Sequence, residues 1–155
     1  MTMQVAELLD LDRISCNTQS ASKKRVLEQL SRLLAVKQEK LSQNQVFDSL
    51  LSRERLGSTG LGHGVAIPHG RLKESNTTLA AFIKLQQGVD FDASDNQPVD
   101  LLFALLVPEE ATEEHLQLLA QLARMFSDEE LVKQLRASPD AHSLYATMQE
   151  WQGNN

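Results

Sequence analysis

The stretch VDLLFALLV at 99–107 contains seven consecutive apolar residues, Leu101 to Val107, with no polar residue among them. In a strand successive side chains point to opposite faces, so a run of this kind has to be covered on both sides. It is far too short to span a bilayer, and the cover must therefore come from other parts of the chain. A second run, TTLAAFIKL at 77–85, reads as a companion strand, and the β-branched VAI at 65–67 as a shorter one stopped by Pro68. The turn-rich GVDFDASDNQP at 88–98 allows a short edge strand at Val89–Phe91.

Helices flank this strand-forming middle. Ser22 is placed to cap KKRVLEQLSRLLAVK, in which Val26, Leu27, Leu30, Leu33 and Leu34 repeat at helical spacing. Ser42 with Gln45 forms a capping box for a second helix, whose stripe is Val46, Phe47, Leu50 and Leu51 and whose end is Gly57. Beyond Pro108, Thr112 is the expected cap of EEHLQLLAQLARMF. Ser127 with Glu130 caps the next helix, and Pro139 suits the first turn of a last one containing Leu144, Tyr145 and Met148. The expected fold is a single α/β domain over 1–155, a sandwich with a small mixed sheet covered by helices on both faces. Its parts are a helical region to about 56, a loop at 57–71, strands to about 107 and helices over about 112–152.

Charge and cysteine usage narrow the function. A formal charge of −6, with KKR at 23–25 the only dense basic run, argues against a nucleic-acid partner. The single cysteine, Cys16, excludes an intrachain disulfide and suits a cytoplasmic protein. The N-terminus MTMQVAELLDLDR lacks the pattern of an export signal, and no membrane insertion is expected.

Five of the seven glycines, at 57, 60, 62, 64 and 70, fall in GSTGLGHGVAIPHGR at 57–71, beside two of the four histidines. Glycines clustered in this way serve either a flexible turn or an anion-binding nest of backbone N–H groups. The nucleotide motifs do not fit: no Lys-Ser or Lys-Thr follows, and Gly60, Gly62 and Gly64 alternate. No cofactor is expected. Neutral imidazole is a good phosphoryl acceptor near pH 7, and His69, between Pro68 and Gly70, sits at a rigid strand end. Arg53, Ser58, Thr59 and the backbone of Gly60, Gly62, Gly64 and Gly70 are the candidate donors to a bound phosphoryl group. His115 shares a helix face with Leu118, Leu119 and Leu122, where it either covers the core or, kept neutral near a helix N-terminus, donates to a phosphate. His63, His69 and His115 match no standard zinc spacing, so no metal is expected, and His142 reads as surface.

The segment GSTGLGHGVAIPHG, leading into Ala66-Ile67-Pro68-His69-Gly70, resembles enzyme IIA domains of the bacterial phosphotransferase system (PTS), in the fructose/mannitol superfamily. DNQPVDLLFALLVPEEATEEHLQLLAQLA at 95–123 is similar to the part of that family that carries its second histidine, and with SRERLGSTG at 52–60 the likeness is closest to the nitrogen-related branch. The resemblance implies an EIIA type-2 domain with mixed strands. It further implies that His69 accepts phosphate on Nε2 from a histidine phosphocarrier protein of the HPr type, that His115 supports the phosphoryl group and that Arg53 orients it. It also implies a free-standing cytoplasmic regulator whose phosphorylation state controls proteins of potassium transport or nitrogen metabolism. A sugar-uptake IIA component, or a binding module that holds an anion without being modified, are the competing expectations.

Overall fold

The computed structural model describes residues 5–73, 75 and 77–151. After two 3-10 turns, at Val5–Leu8 and Leu11–Arg13, come β1 (Ile14–Thr18), α1 (Lys23–Leu34), α2 (Gln43–Leu56), β2 (Gly60–Gly62), β3 (Val65–Ala66) and β4 (His69–Leu72). β5 (Leu79–Val89), β6 (Val99–Pro108), α3 (Thr112–Phe126), α4 (Glu129–Ala137) and α5 (Ala141–Glu150) follow.

The expected sandwich is present, built on one mixed six-stranded sheet in the order β1-β5-β6-β3-β2, with β4 also paired to β6. β5 and β6 run antiparallel, with Phe82 opposite Phe103 and Ala80 opposite Leu105, while β1 lies parallel to β5. The long apolar run divides by parity. Leu101, Phe103, Leu105 and Val107 face a core shared with α3, α4 and α5, and Leu102, Ala104 and Leu106 face a second core under α1 and α2. In the first core Phe82, Phe103 and Phe126 form a cluster with ring centroids 6.0–6.2 Å apart. Each fully buried phenylalanine contributes roughly 1.5–3 kcal/mol.

β3 and β4 are two pieces of one path along the same edge of β6. Val65 and Ala66 pair with Leu101 and Leu102, and His69 to Leu72 pair with Leu105 to Pro108. Between them Pro68 has no N–H to donate, and the Ile67 N–H turns away to the Thr59 carbonyl at 3.0 Å. Gly70 is needed where α2 crosses β4, because a Cβ there would overlap the Ser49 hydroxyl and stand 3.2 Å from the Ser49 carbonyl carbon.

Ser22, the Ser42–Gln45 capping box and the stop at Gly57 lie where the sequence places them. Four local expectations are corrected. Thr112 is the first helical residue of α3 rather than its cap, and Ala111 precedes it without a side-chain cap. Asp128, not Ser127, caps α4, because its carboxylate accepts from the Glu130 and Leu131 N–H groups. Asp140 caps α5, and Pro139, expected in its first turn, stands before the cap. The edge strand at Val89–Phe91 is absent: Val89 ends β5, and Phe91 plugs the core beneath α1 and α2. β1, β2 and β4 were not foreseen as separate strands, and β1 stands within the region read as helical.

Lys84 is the one lysine on the buried face of β5. Its Nζ donates to the Arg136 carbonyl at 2.6 Å and the Ser138 carbonyl at 2.7 Å, closing the C-terminal end of α4, where a cation is favoured. Lys84→Met keeps the apolar stem but leaves both carbonyls without their donor. It should lower stability by about 2–3 kcal/mol, read as a lower urea midpoint at unchanged slope.

Candidate functional site

His69 opens β4 beside the end of α2 and the start of α3, and is 7% exposed. Its Nδ1 lies 2.8 Å from the Ile67 carbonyl oxygen. A carbonyl only accepts, so Nδ1 carries the proton and Nε2 keeps the lone pair. The Ile67 carbonyl is free for this because it points away from β6, the neighbouring Pro68 carbonyl being the one that accepts from the Leu105 N–H, at 3.0 Å.

His115 is the fourth residue of α3, one position later than its expected place, and is 8% exposed. Its ring meets that of His69 edge to face, with centroids 5.2 Å apart and planes at 70°. Its Nε2 is buried without a hydrogen-bond partner. An unmet polar atom of this kind is uncommon in a folded protein and points to an absent ligand group. Both rings line a cleft of about 970 Å³, together with Arg53, Arg71, Ser49 and Thr112.

Arg53, in the last turn of α2, donates from Nη1 to the Gly57 carbonyl at 2.8 Å. Arg71 follows His69 by two residues in β4, and its Nη1 donates to the Thr112 hydroxyl at 3.3 Å. Asp48 and Glu109 also line the cleft, while the uncapped start of α3 adds a partial positive charge. Two arginines, a helix N-terminus and two neutral imidazoles around one hollow suit a multiply charged anion.

Both histidines are held in the neutral form. Burial is the main cause of the lowered His69 pKa, and the Arg53 charge adds to it. For His115, burial, then coupling to the neighbouring His69 ring, and then the charges on Arg71 and Arg53 bring the pKa to about 4.

The remaining candidates are not gathered here. The Ser58 hydroxyl donates to the Phe91 carbonyl at 2.8 Å, and Thr59 is bound at both N–H and Oγ1 by Glu54. Neither lines the cleft, and of the loop glycines only Gly70 does. Gly62 and Gly64, at φ +94° and +83°, shape the turn between β2 and β3, and Gly60 admits Ala93, whose Cβ would lie 2.9 Å from an added one. His63 is at that turn, on a second cavity of about 490 Å³ with Asp95, Asp100 and Arg136. It is thus apart from His69 and His115, and among the described residues no group of three or more His, Cys, Asp or Glu is placed to hold a metal ion. His142 is exposed on α5. Arg71 escaped the reading of the sequence although its spacing of two from His69 puts both on one face of a strand.

The sign of the pH dependence follows from the lowered values. With His115 near 4 when folded and about 6.5 when unfolded, the unfolded chain binds the proton more readily. Stability should therefore fall as pH drops from 6.5 toward 4 and not above that range. Urea titrations across the interval should show a shallower decline in His115→Ala than in the native chain.

Residues 7–151 match the family described as "Phosphoenolpyruvate-dependent sugar phosphotransferase system, EIIA 2". The nitrogen regulatory protein of Pseudomonas aeruginosa is 46% identical over 143 residues, covering 92% of this chain and 93% of the relative. The crystal structure of nitrogen regulatory protein IIA-Ntr from Neisseria meningitidis is 44% identical, with a TM-score of 0.87 over 93% of this chain and 98% of that one. IIA mannitol from Escherichia coli, at 21% identity and a TM-score of 0.74 over 90% of this chain and 98% of that one, shares the fold. Proteins of this family exchange phosphoryl groups with partner proteins of the same system. Among the described residues no helix is long and apolar enough to cross a membrane. The chain belongs to the PTS EIIA type-2 family, in its nitrogen-regulatory branch, and is a phosphoryl carrier and regulator of that system.

Proposed function

We propose that Nε2 of His69 accepts the phosphoryl group from a histidine phosphocarrier protein in the cytoplasm, and that the phosphorylation state sets which regulatory proteins the chain binds. The observation that carries this reading is the hydrogen bond from His69 Nδ1–H to the Ile67 carbonyl. The Nε2 lone pair attacks the phosphorus of the carrier's phosphohistidine. A new N–P bond forms as the carrier's N–P bond breaks, and the departing electron pair stays on the carrier's imidazole nitrogen. Nδ1 keeps its proton throughout, so the phosphorylated ring gains positive character and its bond to the carbonyl becomes charge-assisted.

His115 supports the transferred group without reacting. As the Nε2–H tautomer it holds one unmet donor beside His69, which a phosphoryl oxygen satisfies. Arg53 and Arg71 offset the charge that arrives, roughly −1.5 to −2 at pH 7. Leu56 and Leu116, both strongly exposed at the edge of the cleft, offer the carrier an apolar contact. The names of the relatives favour nitrogen-linked proteins as the targets.

Incubation with a phosphoenolpyruvate-driven carrier cascade should add one phosphate per chain, acid-labile and base-stable as a phosphoramidate is. His69→Ala should take up none, and full labelling of that variant would move the acceptor elsewhere. His115→Ala should still be labelled, at a rate lower by on the order of a hundredfold. Unchanged transfer kinetics would return His115 to a core-covering role.

A further inference from the structure

The carboxylate of Glu54 takes no part in the chemistry above, yet it is 5% exposed in the last turn of α2. A negative charge is disfavoured at that end of a helix and costly to bury unless its oxygens are fully engaged. They are. Oε2 accepts from the Thr59 N–H at 2.9 Å and lies 3.0 Å from Lys23 Nζ, while Oε1 accepts from the Thr59 hydroxyl at 2.6 Å. Lys23, reaching from the first turn of α1, is itself held 4.6 Å from the centroid of the Phe91 ring and 3.3 Å from Asp92 Oδ2.

Thr59 is therefore clamped at two atoms, and its third polar group faces the site. Its carbonyl accepts from the Ile67 N–H at 3.0 Å, and the Ile67 carbonyl accepts from His69 Nδ1–H at 2.8 Å. The Ile67 N–H and carbonyl belong to the two successive peptides that flank its Cα, and both lie on the side of the strand away from β6, because the carbonyls of Gly64 and Pro68 are the ones that accept from β6. Thr59 holds the residue at its N–H, and His69 reads its carbonyl.

We propose that Glu54 is a positioning residue for phosphoryl transfer: through Thr59 it fixes the backbone of Ile67, whose carbonyl holds the Nδ1–H tautomer of His69 and so presents Nε2 to the donor. The proposal rests on His69 being the acceptor. Glu54 touches neither the reacting nitrogen nor the arriving phosphoryl group. Its effect is on which nitrogen carries the proton and on the angle of the ring, both of which a near-attack geometry requires.

The test uses the full chain, ¹⁵N-labelled at histidine, in the native form and as Glu54→Gln, Thr59→Val and Asp92→Asn. Imidazole nitrogen shifts of His69 are recorded without any phosphoryl donor, and transfer kinetics with a phosphorylated histidine phosphocarrier are measured separately. In Glu54→Gln, which keeps the shape but loses the charge and one acceptor, the His69 signals should move from a single Nδ1–H tautomer toward a mixture. Its kcat should fall on the order of ten- to a hundredfold, while the KM for the carrier stays unchanged. Thr59→Val should move both readouts in the same direction, and it keeps the question open to test should Glu54→Gln fail to fold. Asp92→Asn, which leaves the Lys23–Glu54 pair in place, should change neither. Native His69 shifts in a folded Glu54→Gln or Thr59→Val protein overturn the proposal while leaving the acceptor reading intact. A native chain that takes no phosphate on His69 overturns the acceptor reading, and with it any positioning role for Glu54.

Discussion

The antiparallel pairing of β5 with β6, buried on both faces, is the interaction on which the rest of the molecule depends. Leu79 to Lys84 pair with Leu106 to Leu101 without interruption, and their side chains feed two separate cores. A sheet dressed on one face only would leave Leu102, Ala104 and Leu106, or Leu101, Phe103 and Leu105, in water. Three helices on one side and two on the other follow from that requirement. β6 also provides the straight edge along which β3 and β4 are aligned, so the ladder that stabilises the domain is the ruler against which His69 is placed.

One departure from regularity makes the site. Gly64 and Pro68 turn their carbonyls to β6, so Ile67 between them turns both its N–H and its carbonyl the other way. The carbonyl meets an imidazole two residues later. The N–H meets Thr59, which ties the segment to the end of α2. The same helix end supplies Arg53 and Glu54, and α3, starting just after β6, supplies His115. Three element ends thus meet at one point. Backbone at such ends has unused hydrogen-bonding groups and room for a charged ligand.

Burial gives the two histidines their common character. Each is kept neutral, chiefly by the loss of water and then by neighbouring positive charge. They differ in what their nitrogens touch: Nδ1 of His69 has a carbonyl, whereas Nε2 of His115 is buried without a hydrogen-bond partner. In the proposed transfer one ring uses a lone pair and the other an N–H.

Much of the architecture could be read from residue order alone, because the signals are local. Ser22, the Ser42–Gln45 box and Gly57 act on backbone groups within four residues, and the parity of Leu101 to Val107 demands cover on both faces whatever lies elsewhere. The cap expected at Ser127 is one residue early, and Pro139 stands just before the first turn it was expected to join, since neighbouring Ser and Asp, or Pro and Asp, are nearly equivalent as starting signals. The short strands β1, β2 and β4 could not be found, as a stretch of three to five residues is a strand only when a partner strand is beside it. The loop glycines stand out in the sequence, but Gly60, Gly62 and Gly64 answer to turn geometry and to Ala93 and Arg136 rather than to the cleft. Ser58 and Thr59 likewise look free in the sequence and are engaged in the fold. The chain by itself determined the two-faced core, the helices that cover it and a histidine at a rigid strand end, because each follows from side-chain spacing and backbone chemistry over a few residues. Only the tertiary structure decided that His115 meets His69, that His63 does not, and that Glu54, beside Lys23 of α1, reaches the same network through Thr59. Those are matters of distance between groups far apart in the chain, set when two layers of helices close over one sheet.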